Sequence, residues 1–169
     1  MDALEAIFTR RSIRQYNNKE IESDKRHLLL KAAMQAPSAR NFQPWQFIVI
    51  DERQILDQIP KFHPYSTMLH QAPLAIAVCG DQRIEENIGY LALNCAAATQ
   101  NILIAAHAIG LGAVWLGIYP RTKRITNLRN LLKLPAHVIP ISLIAVGYSA
   151  EEQPIMDRFQ KKRIHINTW

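Results

Sequence analysis

Three short groups of cations hold nine of the chain's 20 Lys and Arg residues: Arg10, Arg11 and Arg14; Arg121, Lys123 and Arg124; and Lys161, Lys162 and Arg163. Arg10 and Arg14 are four residues apart with Ser12 between them. If the preceding helix extends that far, two forked guanidiniums and a hydroxyl project together and can hold one anion. The alternative is that the arginines only complement a helix C-terminus. A second cluster is the turn PSARNFQPWQF at residues 37–47. Ser38, Arg40, Asn41 and Gln43 supply donors suited to a planar polar ring, with Trp45 and Phe47 as an apolar wall. The same composition also serves ordinary loops that bind nothing.

The usual carriers of protein-borne catalysis are missing. There is no GxSxG elbow, P-loop, HExxH or Cys–His nucleophile pattern. GLGAVWLG, residues 110–117, opens like a dinucleotide fingerprint, but Trp115 stands where the third glycine belongs. Its glycines also follow a helix and open a strand, the reverse of the dinucleotide-binding order. His63 and His70 have no partner at metal-ligand spacing and read as solvent-exposed. The pairs Glu85, Glu86 and Glu151, Glu152 read as solvated, which gives paired-carboxylate hydrolysis no support. A chain without an acid, base or nucleophile favours chemistry that belongs to a bound organic cofactor.

The element that must position these groups runs from Asn87 to Pro120, a stretch without a single Asp, Glu, Lys or Arg. Ile88, Leu91, Ala92, Cys95, Thr99, Ile102, Leu103, Ala106 and Ile109 recur at steps of three and four, which predicts a central helix over 88–109. Roughly 30 Å of helix would span a small domain. Asn94, Gln100, Asn101 and His107 inside the run argue against a membrane span, and its alanines suit a core or an oligomer interface.

Around that helix, Asp2 caps a short helix through Thr9 with Leu4, Ile7 and Phe8 inward, and Ser23 caps a second over 24–36 with Leu28, Leu29, Ala32, Ala33 and Ala36 inward. Strands are predicted at 46–51, 74–79, 113–117 and 139–147, with Pro140 pointing to an edge or a strand start. Residues 53–59 form a short helix, and Thr122 caps another through Leu132. Between them, 61–71 is irregular enough for a mobile flap. In the tail, RIHIN at 163–167 has strand alternation but no sheet of its own, so it either reaches a second copy or frays.

With 169 residues the chain fits one domain, 1–169, with 150–169 as an arm. Cys79 and Cys95 lie in apolar runs and read as reduced, buried thiols, and the N-terminus lacks a signal-peptide core, so a cytoplasmic location is expected. The net charge of +6 calls for an anionic partner. Cations in three short groups suit a compact phosphate pocket as well as an extended groove. Aromatics interleaved with the cations, a helix-turn-helix and an RNP-like run are all absent, so neither nucleic acid nor a membrane is expected as a partner.

RRSIRQY, the PSARNFQPWQF turn, the Ala-rich helix leading to GLGAVWLGIYP, and the terminal RFQKKRIHINTW stand in the order found in the nitroreductase family of FMN-dependent oxidoreductases. The chain resembles that family over nearly its whole length, in particular its short branch. The resemblance implies an α+β fold, a mixed and largely antiparallel sheet sandwiched by helices in an intertwined homodimer, with FMN at the subunit interface. It implies that Arg10 and Ser12 grip the phosphate and ribityl region, Arg11 helps, and Arg14 lies nearer the pyrimidine edge. Pro37, Ser38, Ala39 and Asn41 would line the flavin from the partner subunit. The backbone at Leu116 and Gly117 would face the redox edge, and Lys161 and Arg163 would complete the phosphate clamp. NADH or NADPH would donate hydride, and a nitroaromatic, quinone or other electron-poor molecule would accept it in a ping-pong cycle without a catalytic side chain. A non-catalytic flavin-binding protein is the alternative.

Overall fold

A computed structural model describes all of residues 1–169. Four strands form one sheet: β1 (Trp45–Ile50), β2 (Leu74–Asp81), β3 (Gly112–Gly117) and β4 (Val138–Gly147), in the order β1-β2-β4-β3. Every neighbouring pair is antiparallel. The one parallel element is an isolated bridge between Ser12 and Ala113. All eight residues of β2 are buried, as an unbroken apolar run between two other strands requires.

Alternation along the inner strands divides the interior in two. Ile76, Val78, Ile144 and Val146 face α2 (Ser23–Met34) and α4 (Ile88–Ala108). Ala75, Ala77, Cys79, Leu143 and Ala145 face the opposite layer, which contains Leu56 of α3 (Arg53–Leu56) and Leu128 of α5 (Thr122–Leu132). The helix–sheet–helix sandwich is therefore as predicted. Both cysteines are buried and free.

The central helix also agrees with its pattern. Asn87 caps α4 by accepting from the Gly89 and Tyr90 N–H groups at 2.9 and 3.1 Å. Leu91, Cys95, Ala98, Thr99, Ile102 and Ala106 are buried in succession. Although α4 is long and apolar enough to cross a membrane, that face lies against the sheet. Its opposite face leaves Tyr90 and Leu93 open, and Ile88, expected inward, is exposed as well.

Several local expectations are corrected. Asp2 does cap α1 (Ala3–Thr9) through the Glu5 N–H, but Ala6 is the buried residue while Leu4, Ile7 and Phe8 are 62, 49 and 64% exposed. Ser23 is the first residue of α2 rather than its cap. Glu22 holds the cap position without a side-chain bond, because its carboxylate is taken by the Tyr148 hydroxyl at 2.6 Å. The helix ends at Met34, short of Ala36, since the backbone must leave helical geometry before Pro37. Leu28 is exposed. Thr122 likewise begins α5 without capping it, Arg121 occupying that place.

Pro140 marks a strand start and not an edge, since β4 lies between β2 and β3. Pairing with β3 reaches only Ser142, so the missing N–H costs no bond on that side, and the register with β2 shifts at Val78/Cys79. RIHIN forms no strand within the chain. A 3-10 turn at Lys161–Arg163 precedes it, and residues 152–169 are all exposed. With no free strand of this chain beside it, the segment has nothing to pair with.

Candidate functional site

The free edge of β3 organises the site. Gly112 lets the basic segment lie against that edge, because a Cβ there would sit 2.8 Å from the Ile13 side chain. With the glycine in place, Ile13 N–H donates to the Ala113 carbonyl at 3.1 Å and Ser12 bridges Ala113. The buried Tyr16 hydroxyl fastens the far end, donating to the carbonyls of Ile13 at 2.6 Å and Ala145 at 3.2 Å.

Helix α1 stops at Thr9, and Arg10 leaves it with φ −54° and ψ 131°. Arg10 and Arg14 are therefore not one helical turn apart. They lie on an extended, bridged segment, where Arg11, Ser12 and Arg14 border one shallow pocket with Met156 and Arg158. Arg11 is occupied. Its guanidinium donates to the carbonyls of Pro154 at 2.9 Å and Met156 at 3.3 Å, and to those of Phe8 and Arg10. It acts as a latch for the tail.

The latch brings Arg158 to Arg10. Burial first, then the positive charges of Arg158 and Arg11, push the Arg10 pKa down from its usual value. A cavity of about 490 Å³ is lined here by Phe8, Arg10, Arg11, Met156, Arg158 and Phe159 among others. Arg10, Arg11, Arg14 and Arg158 form no ion pair with any carboxylate. Glu151 does not neutralise Arg14's guanidinium. It accepts from the backbone N–H groups of Arg14 at 2.5 Å and Gln15 at 3.1 Å, bonds that hold its pKa below the usual carboxylate range. Glu151 is thus structural and not simply solvated, and Glu85 is buried and accepts from the Asn87 N–H at 3.0 Å. Lys161 and Arg163 lie on the exposed turn beyond this cavity and do not line it.

At the other end of β3, Leu116 is buried and Gly117 half-buried. A Cβ on Gly117 would meet no atom within 4 Å, so the glycine faces open space. Its carbonyl accepts from Arg124 Nη1 at 2.8 Å and lies 3.0 Å from His63 Nε2. Since a carbonyl can only accept, His63 carries its proton on Nε2. Against expectation, His63 is buried to 1% exposure, and burial lowers its pKa, which favours this neutral form. Its Nδ1 has no partner. His70 is exposed, as expected. The 61–71 segment is no loose flap: Ile59, His63, Ser66, Met68 and Leu69 anchor it, and the Arg53 guanidinium bonds the Leu69 and Ala72 carbonyls. Tyr65 stands at its outer surface beneath Arg124.

The Pro37–Asn41 turn is built with unusual backbone. Arg40, Asn41 and Gln43 all have positive φ, at 53, 57 and 49°. Such residues are sparse outside glycine and asparagine and persist where surrounding bonds hold them. Here Asn94 Oδ1 accepts from the Ala39 N–H at 3.1 Å, and Ser38 Oγ accepts from the Gln43 N–H at 3.0 Å. Asn94 is buried and its Nδ2 is unpartnered. The turn leads into β1, so it stands at the edge opposite β3, three strand spacings or about 14 Å across the sheet. One chain thus brings Arg10, Arg11, Ser12 and Arg14 to the edge that ends in Leu116 and Gly117, and leaves Pro37, Ser38, Ala39 and Asn41 elsewhere.

Four residues that shape these surroundings had no specific partner in the sequence patterns. Arg124 stood out only as one of a group of cations and Arg158 only as part of the terminal motif, and His63 lacked any partner at useful spacing. Asn94 left one usable signal, a polar side chain within an apolar helix.

Comparison with known proteins agrees with this architecture. The family model described as Nitroreductase family matches residues 7–63 and 61–148. A Methanothermobacter thermautotrophicus protein, named provisionally as an NADH dehydrogenase/NAD(P)H nitroreductase, is 48% identical over 169 residues, covering 100% of this chain and 88% of the relative. A solved structure from Bacteroides thetaiotaomicron with the same provisional name superposes with a TM-score of 0.95 at 42% identity, covering 99% and 98% of the two chains. An FMN-dependent nitroreductase from Clostridium difficile gives 0.91 at 30% identity, covering 98% and 99%. The edge-strand site, the four-stranded sandwich and these matches together make the chain a member of the nitroreductase family.

Proposed function

We propose that the protein is a homodimeric FMN-dependent oxidoreductase that takes hydride from NADH or NADPH and reduces nitroaromatics, quinones or similar electron-poor small molecules. The observation that carries this reading is the β3 edge, with a group of arginines lacking counter-ions at its start and the open face of Gly117 at its end. From Ala113 to Gly117 the strand advances about 13 Å. An elongated ligand with a phosphate at one end and a flat ring at the other matches that layout, and a dianionic phosphate would relieve the repulsion among Arg10, Arg11 and Arg158. The names of relatives support the same cofactor and donor, including the Clostridium difficile nitroreductase and a Bacillus subtilis FMN reductase.

Bound FMN would supply the chemistry by accepting hydride and passing electrons to the oxidant in alternate half-reactions. The chain's own work is positioning. Arg10 and Ser12 hold the phosphate end, Arg14 lies nearer the ring, and the backbone at Leu116 and Gly117 faces the reactive edge. No side chain of this site needs to move a proton, and no catalytic residue is assigned. An open approach at Gly117 suits small planar substrates that stack in turn.

The site is completed by a second copy. Tyr90 and Leu93 on α4, Leu4, Ile7 and Phe8 on α1, and Phe159, Ile164 and Ile166 in the tail are large apolar side chains left exposed, and a second copy would cover them. The free edge of β1 offers a 380 Å³ groove lined by Ile48, Val49, Ile50, Leu131 and Leu132. It suits the alternating tail of the partner, which would give residues 150–169 their role as an arm. Pro37, Ser38, Ala39 and Asn41 would then line the ring held by the other copy, with Lys161 and Arg163 closing on its phosphate.

The test is the visible spectrum of the protein after FMN addition and removal of excess, followed by anaerobic NADH and NADPH. Stoichiometric flavin that bleaches rapidly with either donor is expected. Arg10→Glu places a carboxylate beside the phosphate and should weaken FMN binding at least about tenfold. Absence of retained flavin in the wild type would overturn the reading, and flavin that neither nicotinamide reduces would make the protein a flavin carrier.

A further inference from the structure

We propose that His63 and Arg124 are positioning residues that occupy the Gly117 carbonyl, so that the end of β3 presents a hydrogen-bond donor, and no competing acceptor, to the ring bound there. The inference rests on the FMN reading above and concerns this chain's own residues.

The backbone directions follow from the pairing. Ile118 N–H donates inward to the Ile141 carbonyl on β4 at 3.3 Å, and Ile13 donates to the outward Ala113 carbonyl. Along a strand, successive residues turn their N–H and C=O groups to opposite sides. Ala113, Trp115 and Gly117 therefore direct both groups to the free edge. At Gly117 the carbonyl is occupied by two donors, Arg124 Nη1 at 2.8 Å and His63 Nε2 at 3.0 Å. Two lone pairs meet two donors, and the acceptor is saturated. The Gly117 N–H shares that side of the strand, and a Cβ on this residue would meet no atom within 4 Å.

Both donors are held in place. His63 is buried, and its own carbonyl accepts from Ser66 Oγ at 2.8 Å. Arg124 projects from the first turn of α5, with its guanidinium 5.5 Å from the centre of the Tyr65 ring. Neither residue needs to touch the cofactor. The reactive edge of an oxidised isoalloxazine consists of acceptor atoms, whereas reduction adds an N–H donor. An unoccupied carbonyl at Gly117 would repel the oxidised ring and attract the reduced one. Tying it down favours the oxidised form and lowers the reduction potential, which helps the bound cofactor pass electrons onward.

The experiment uses the FMN-loaded protein and measures the flavin midpoint potential, with oxidised-FMN affinity from titration of the apoprotein. His63→Leu removes one donor, and His63→Asn is a polar variant whose shorter amide does not reach the carbonyl. Both should favour reduced over oxidised FMN by about tenfold relative to the wild type, a rise of about 30 mV for a two-electron couple. His63→Gln, whose amide nitrogen reaches the Nε2 position, should restore the wild-type value. If His63→Leu fails to fold, the Asn and Gln pair carries the same comparison. Equal potentials in the wild type and the Asn variant, or a Gln variant shifted as far as the Asn variant, would overturn the proposal. A wild type that binds no FMN would overturn the functional reading instead, so the two failures are distinct.

Discussion

Gly117 is a glycine that its own chain does not require. Its φ is not in the left-handed region and its missing Cβ would meet nothing within 4 Å, so neither backbone strain nor internal packing demands glycine. Gly117→Val should therefore leave the thermal midpoint unchanged or raise it, since a β-branched residue suits a strand by up to about 1 kcal/mol. FMN retention should fall at least about tenfold, measured on the same samples by flavin absorbance. Loss of both stability and flavin would instead mark Gly117 as a folding requirement. Gly112, by contrast, is needed by its own chain, because Ile13 fills the space a side chain would take.

The junction between β2 and α4 depends on a local ion pair. Asp81, the last residue of β2, accepts from Arg83 Nη2 at 2.7 Å and from the Arg83 backbone N–H at 2.9 Å, with His137 at 3.9 Å. The Arg83 hydrogen bond, foremost among these influences, holds the Asp81 pKa down to about 2. Because the folded value lies below the unfolded one, the stabilisation is present above the ordinary aspartate pKa and is lost as pH falls through about 2. Asp81→Asn should lower the thermal midpoint at neutral pH, and the gap between variant and wild type should close between about pH 4 and pH 2. A gap that stays constant across that range would assign the effect of Asp81 to shape and not to charge. This contact was invisible in the sequence pattern, since the predicted strand stopped at Cys79 and no pattern linked Asp81 to Arg83.

For the molecule as a whole, the proposed dimer makes the exposed tail and the uncovered faces of α1 and α4 parts of one assembly. Residues 152–169 are all exposed and pack into neither half of the core. A variant ending at Glu152 should keep its far-ultraviolet circular dichroism spectrum. It should sediment as a monomer at concentrations where the full chain is a dimer, and it should lose FMN because Arg158, Lys161 and Arg163 go with the tail. A truncated chain that remained dimeric with bound flavin would remove the arm from the assembly. The two proposed halves of the site stand about 14 Å apart across the sheet, so dimerisation and cofactor binding should be lost together.

Period and polarity were enough to locate all four strands, the long central helix and the sandwich, because these elements bury continuous apolar runs whose spacing is written along the chain. The basic segment, the PSARNFQPWQF turn and the glycine-bearing end of β3 were legible for a different reason: their residue types are locally unusual. Tertiary structure decided which groups meet. Leu4, Ile7 and Phe8 had a helical face but no surface of their own chain to cover it, and His63 had no sequence neighbour to reveal that Gly117 lies 54 positions away. Arg158 reached Arg10 only because Arg11 fastens the tail. Periodicity specifies how an element is half-buried, whereas partners brought from distant positions depend on how the halves are folded together.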